Sequence, residues 1–332
     1  MKIKNKLNYT KKMNNKHFNF IIFNILIIII KAYKPIIGVY GNSYPQNDYK
    51  YHNGSYIPGS YIYYLESFGA KLVAIHQWYS HNEIDKLLNQ INGILFLGGD
   101  RDLLINEYWE KTANYILKKS IELKIPLFGI CQGFQIINIL LAQDQNVLIK
   151  GYKDFGILHN STIIGYYKNH KMFSLFETED IDKYINKNGS VFFHSLGVPI
   201  DLFEKNEYLK KYLKITSISE DNNKKPFINT IEGINDDINI FAIQNHPEKI
   251  VYMRSHNYTS LHTNDALKVS DLFGLFIVEQ ARKNKNKFNE LLKEKYDFFN
   301  TYENKTKYYF YDYETNSFYF KKPDNEIKIN DL

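Results

Sequence analysis

The sequence predicts an α/β protein built on a doubly wound, mostly parallel sheet flanked by helices. Three observations carry that prediction. From residue 34 onward, short apolar runs alternate with segments of helical period, the rhythm of repeated strand–helix units. The chain has 332 residues, 44% of them hydrophobic and 23% charged, which suits a large buried core and excludes a disordered or fibrous chain. Its one cysteine, Cys131, excludes an intrachain disulfide and a cysteine-rich zinc site, so no covalent or metal staple of that kind holds the fold.

The elements follow in order. Lys34 to Gly41 reads as a buried strand ending at a glycine turn. Pro58 suits the first turn of a helix that carries Tyr61, Leu65 and Phe68 at helical spacing and stops at Gly69. Ala70 to His76 is a second strand, and Asn82 to Gln90 a short helix with Ile84, Leu87 and Leu88 on one face. A third strand, Gly93 to Leu97, closes on Gly98-Gly99. Glu107 to Leu123 is a longer helix, Pro126 to Ile130 a fourth strand, and Phe134 to Leu141 an apolar helix. Further strands are expected at Leu213 to Ser219, Phe227 to Glu232 and Ile238 to Gln244, and an amphipathic helix at Lys268 to Lys283. Lys307 to Phe320 reads as a hairpin added at an edge, its aromatic strands meeting around Glu314-Thr-Asn. The expected organisation is a leader over 1–32, one α/β domain over 34–300 and a C-terminal extension with a β-hairpin over 301–332.

The leader also explains the charge. The net charge of +6 comes from 42 basic and 36 acidic residues, but residues 1–32 hold seven lysines and no acid, so the rest carries 35 − 36 = −1. A binding face for nucleic acid is therefore not expected. A basic segment, then the apolar run Phe20 to Ile30, then Ala32 reads as a secretory signal peptide, with a signal anchor or a buried strand as the alternative. Entry to the secretory pathway, with an extracellular or lysosomal/vacuolar destination, would make the sequons at Asn53, Asn160, Asn188, Asn257 and Asn304 glycosylation candidates.

The chemistry centres on Pro126-Leu-Phe-Gly-Ile-Cys131-Gln-Gly133-Phe. An apolar strand runs through Gly-x-Cys-x-Gly into a helix, the cysteine form of a nucleophile elbow. The sulfur would then stand at the carboxyl edge of the sheet, near a helix N-terminus that favours thiolate. A buried inert cysteine is the bland alternative. Of the 10 histidines, His246 follows a buried strand in Gln-Asn245-His-Pro-Glu248, on the rim where the elbow would lie. Glu248 could accept from its second ring nitrogen and fix the tautomer. Backbone N–H groups at the Gly98-Gly99 turn and at Gln132 could hold a developing oxyanion.

Taken together, Gly129-Ile-Cys131-Gln-Gly133, His246-Pro-Glu248 and Gly98-Gly99 resemble the class I glutamine amidotransferase-like superfamily, most closely the gamma-glutamyl hydrolase family. The likeness runs from Lys34 to about Phe288. It includes Tyr56-Ile-x-x-Ser60-Tyr, Tyr64-Leu-Glu-Ser-x-Gly-Ala70 and Glu279-Gln-Ala-Arg-Lys-Asn284. It implies a flavodoxin-like fold and hydrolysis of folylpoly-γ-glutamate through an acyl-enzyme, with no cofactor and no metal. Cys131 would be the nucleophile, His246 the general base and acid, and Glu248 its orienting partner. Gly99 and Gln132 would form the oxyanion hole, with Gly98, His194 and Gln135 at the substrate. A homodimer is a further implication.

Three positions depart from the family pattern. Leu97 stands where a proline often precedes the glycine turn, and Asn245 where an aromatic residue commonly precedes the histidine. Gln135 replaces a typical glutamate and is more like the glutaminase members. A glutaminase acting on another small γ-glutamyl amide, or a non-catalytic binding relative, are the competing readings.

Overall fold

The computed structural model describes residues 33–43, 54–101, 103, 108–253, 261–299, 309–312 and 317–322. The chain divides into two units, Met1–Lys34 and Pro35–Leu332, and every element below belongs to the second. The leader expected over 1–32 lies outside the described residues.

In chain order the elements begin with β1 (Ile36–Tyr40), β2 (Asn42–Ser43), β3 (Gly54–Pro58), α1 (Gly59–Ser67), β4 (Lys71–Ile75), α2 (His81–Leu88) and β5 (Gly93–Phe96). Next come α3 (Tyr108–Glu122), β6 (Leu127–Ile130), α4 (Gln132–Ala142), β7 (Ile149–His159), β8 (Ser161–Ile163), α5 (Thr178–Asn186) and β9 (Ser190–Gly197). The last are α6 (Ile200–Lys205), α7 (Glu207–Tyr212), β10 (Leu213–Glu220), β11 (Pro226–Gly233), β12 (Ile240–Ile243), α8 (Pro247–Tyr252), α9 (Asn264–Lys283), β13 (Tyr309–Asp312) and β14 (Ser317–Lys321).

The main sheet has eight strands in the order β4-β1-β5-β6-β12-β11-β10-β8. The first five pair in parallel, and β11, β10 and β8 continue it antiparallel. The parallel part is the flavodoxin-like order, in which the chain reverses direction across the sheet beside β1. Its strands are apolar at nearly every position because both faces are covered. Ile36 and Tyr40 of β1, Val73 and Ile75 of β4 and Phe96 of β5 pack with α2, α3 and α4. The alternate residues Ile37, Val39, Leu72, Ala74 and Leu95 pack with α1 and α9 on the other side. One strand period thus feeds two cores.

Local sequence sets several boundaries. Ser80 caps α2 in a reciprocal capping box with Glu83. Thr263 caps α9, its hydroxyl accepting from Ala266 N–H at 3.1 Å, so this helix starts at Asn264 rather than at Lys268. Every residue of α4 is buried, between the sheet on one side and α7 on the other.

Two features lie outside the expected rhythm. The stretch from 149 to 212, in which no element was expected, holds a two-stranded antiparallel sheet, β7 with β9, and helices α5 to α7. The tail hairpin, β13 with β14, joins β3 and β2 in a four-stranded sheet of its own rather than the edge of the main one. The edge strand β4 is instead met by residues 297–299, with Ala74 N–H donating to Asp297 O and Phe299 N–H to Leu72 O.

Candidate active site

The site stands at the carboxyl ends of β5, β6 and β12, on the rim where open α/β sheets bind their ligands. Cys131 occupies the turn from β6 to α4 with φ 52° and ψ −105°, a left-handed conformation that an ordinary side chain rarely adopts. Its N–H donates to Ile243 O at 2.8 Å and its carbonyl accepts from Gln135 N–H at 3.0 Å, so both ends of the strained residue are tied. Such a turn needs α4 to start almost in contact with the sheet. A Cβ at Gly133 would overlap the Phe96 carbonyl, and one at Gly129 would come within 2.7 Å of the Gly133 carbonyl oxygen. The Gly-x-Cys-x-Gly spacing thus buys a close approach that any side chain would block.

His246 follows β12 and caps α8, its N–H donating to Val191 O of β9 at 2.9 Å. Its Nδ1 lies 2.7 Å from Glu248 Oε1, in a pair that is almost fully buried. This fixes the proton on Nδ1 and leaves the buried Nε2 without a hydrogen-bond partner. Burial alone pushes the Cys131 thiol up, but nearby His246, aided by Lys249, outweighs it and holds the thiol below its ordinary value. Burial and Lys249 push His246 down, whereas the Cys131 and Glu248 charges leave it above its ordinary value. The two shifts describe one coupled pair that favours thiolate with imidazolium.

The glycine turn after β5 is fastened to this pair. Gly98 N–H donates to the Tyr61 hydroxyl at 3.0 Å, and Gly98 O accepts from Asn42 Nδ2 at 2.8 Å. The main-chain groups of Gly98 are therefore used internally, and what it contributes is room. A Cβ there would lie 2.8 Å from His246 Cε1 and 3.3 Å from Cys131 Cβ. Gly99 and Gln132 are brought together, since Gln132 Oε1 would be 2.6 Å from a Cβ at Gly99. Gln132 Nε2 also donates to Arg101 O at 2.7 Å, clamping the turn against the first residue of α4.

His194 and Gln135 both bond the Leu196 carbonyl of β9. His194 is buried in β9, with Nδ1–H donating to Leu196 O at 2.8 Å. Its Nε2 faces Asp154 Oδ2 of β7 at 3.6 Å, and burial pushes it down to about 4, so it stays neutral. Asp154 also holds His159 Nε2 at 2.9 Å. Gln135 does lie one turn beyond Cys131, but its amide nitrogen is spent on Leu196 O at 3.0 Å and Gln244 Oε1 at 3.3 Å.

Four further contributors were not among the expected site residues. Tyr61 sits 3.5 Å from His246 Nδ1 as well as on Gly98, Asn42 holds the turn, and Gln244 Nε2 lies 3.6 Å from Cys131 Sγ. Lys249 lies 4.1 Å over the Phe193 ring, which meets His246 edge-on with centroids 5.8 Å apart. Of these, Tyr61 had a sequence signal, being the last residue of Tyr56-Ile-x-x-Ser60-Tyr.

This arrangement can activate a thiol, deliver a proton opposite it and present main-chain donors nearby. Residues 35–248 match the family model described as Peptidase C26. The chain belongs to that family, and it is a cysteine-type hydrolase. It is 31% identical over 271 residues to the gamma-glutamyl hydrolase of Mus musculus, covering 79% of this chain and 82% of that one. To the gamma-glutamyl hydrolase of Homo sapiens it is 30% identical over 262 residues, 77% of this chain and 80% of the relative. Among solved structures, the glutaminase domain of Trypanosoma brucei CTPS with bound acivicin aligns with a TM-score of 0.48 and 15% identity, over 77% of this chain and 98% of that one.

Proposed function

We propose that this protein hydrolyses the γ-glutamyl bonds of folylpoly-γ-glutamates through a Cys131–His246–Glu248 triad and an acyl-enzyme. The observation that carries the reading is the strained Cys131 turn, with its thiol coupled to an imidazole whose far nitrogen meets Glu248 at 2.7 Å. The gamma-glutamyl hydrolases among its relatives supply the substrate class.

In this mechanism the Cys131 thiolate attacks the γ-carbonyl carbon of a glutamyl residue. The Gly99 and Gln132 N–H groups receive the oxyanion of the tetrahedral intermediate, the second of these being one of the unpaired donors at the start of α4. Imidazolium His246 gives its Nε2 proton to the leaving amine as the carbon–nitrogen bond breaks. A water molecule, losing its proton to the same nitrogen, then attacks the thioester and releases the shortened folyl chain, the glutamate or glutamyl peptide having already left as the amine, which restores thiolate and imidazolium. Glu248 keeps the ring in one orientation and balances its charge throughout.

The test is Cys131→Ala on a defined pentaglutamate substrate, with products separated by chain length. Loss of essentially all hydrolysis is expected, because no thioester can form. Turnover at the wild-type rate would end the proposal. Free glutamine assayed in parallel separates a glutaminase from a γ-glutamyl peptide hydrolase. We further infer that residues 1–32 direct the chain into the secretory pathway, for which the basic-then-apolar leader is the support. N-terminal sequencing of the mature protein decides it.

A further inference from the structure

The mechanism above leaves one buried group beside the sulfur without a task. Gln244, the residue after β12 and two before His246, is fully buried, and its Nε2 lies 3.6 Å from Cys131 Sγ. An amide has two ends, and which end meets the sulfur is decided by the other one. Gln135 Nε2 donates to Leu196 O at 3.0 Å and to Gln244 Oε1 at 3.3 Å. A nitrogen that already donates to a carbonyl can face only an acceptor in Gln244, so the Gln244 oxygen points to Gln135 and its N–H points to sulfur. The main chain is pinned too, with Gln244 N–H on Asn229 O at 2.7 Å and Asn245 N–H on Asn229 Oδ1 at 3.3 Å.

We propose that Gln244 is a catalytic residue that hydrogen-bonds the Cys131 thiolate through its amide N–H, and that Gln135 is the positioning residue that sets this amide's orientation. Gln135 thereby acquires a role other than substrate contact. A carboxylate at 135 could not donate to the Gln244 oxygen, so the Gln135–Gln244 relay belongs to chains with an amide at both positions. A hydrogen bond to a charged acceptor strengthens as the acceptor gains charge, so this one favours thiolate over thiol. It also holds the sulfur between Gln244 and the Phe193 carbonyl, 3.9 Å away on β9, which limits the directions from which it can attack.

The inference rests on Cys131 being the nucleophile, and the experiment separates the two. Cys131 is the one cysteine in the chain, so the rate of iodoacetamide alkylation against pH reports its titration without any substrate. The charged groups facing it are His246 beyond β12 and Glu248 and Lys249 on α8, with the neutral Tyr61 hydroxyl from α1 beside them. None is altered by the variants, which are Gln244→Leu and Gln135→Leu. Loss of one charge-assisted hydrogen bond should raise the alkylation midpoint of Gln244→Leu by about one pH unit or more. Gln135→Leu should move it the same way by less, and the acid limb of kcat/KM on a γ-glutamyl peptide should follow in both. A purely structural role would lower the melting temperature and leave these midpoints in place. Wild-type alkylation well below the ordinary thiol range with both midpoints unmoved would overturn the roles of Gln244 and Gln135. Slow wild-type alkylation with an ordinary midpoint would overturn the nucleophile itself. If Gln244→Leu fails to fold, Gln135→Leu, which leaves Gln244 in place, decides alone.

Discussion

Acid should weaken this protein through His194, and the size of the effect follows from the structure. The imidazole is about 1% exposed, donates from Nδ1 to Leu196 O, and has its titration pushed down to about 4 by burial, against which the Asp154 charge works only in part. An unfolded histidine titrates at 6.5. Between those values the unfolded chain binds a proton that the folded one refuses, so stability is lost as pH falls through this window. With about 1.4 kcal/mol per pH unit, the loss from this one group between neutral pH and pH 4 is about 3 kcal/mol.

His194→Asn isolates that contribution, because its amide can still donate to the Leu196 carbonyl but takes no proton. The substitution leaves a space that costs stability at every pH, and this constant cancels when each protein is compared with itself. Urea unfolding of both proteins at neutral pH and near pH 4 is the measurement. The wild type should lose about 3 kcal/mol more than the variant across that interval. Equal losses, or a larger loss in the variant, would refute the assignment of a buried neutral imidazole.

Two further outcomes follow from the site. Glu248→Gln removes the charge that helps hold His246 up, so the alkaline limb of kcat/KM should move to lower pH, and the rate should fall on the order of 10²-fold or more, as when a buried partner of a catalytic histidine becomes an amide. Initial rates across pH check both. Gly133→Ala drives a methyl into the Phe96 carbonyl at the base of the Cys131 turn. A lowered melting temperature is expected, for a cost of about 1–3 kcal/mol, together with a larger fractional loss of activity than the stability change alone explains.

The parallel core was legible because each of its units repeats one pattern. Ile36–Tyr40, Gly93–Phe96 and Leu127–Ile130 are covered on both faces and so are continuous apolar runs, the last two followed next in the chain by a helix of 3.6-residue period. The β7–β9 ribbon was not legible for the opposite reason. Residues 149–159 mix exposed Lys150, Gly151 and Lys153 with buried Tyr152 and Asp154, and bulges interrupt the register, so no single period runs through them. At the candidate site, Cys131, His246 and Glu248 stand out because fixed neighbours in sequence mark them, a glycine on either side of the turn and a proline at 247. Gln244, Asn42 and Lys249 act through contacts made only in three dimensions. Gln135 is the instructive case, since its position was correctly placed one turn from the sulfur, while the direction of its amide is set by Leu196 and Gln244, distant residues that no local pattern reveals.

The small sheet that joins β14 to β3 has a consequence during protein synthesis. Tyr56 and Ile57 of β3 pair with Tyr319 and Phe318, and β3 also carries β2, whose Asn42 grips Gly98. Most of the chain is translated between these partners, an interval of tens of seconds at ordinary elongation rates. Throughout it the nascent chain carries an unpaired strand edge beside its nascent site, open to chaperones and to neighbouring polypeptides alike. Until Ser317–Lys321 has been made, that edge of β3 has no partner, so an unfinished copy differs from a finished one at this sheet.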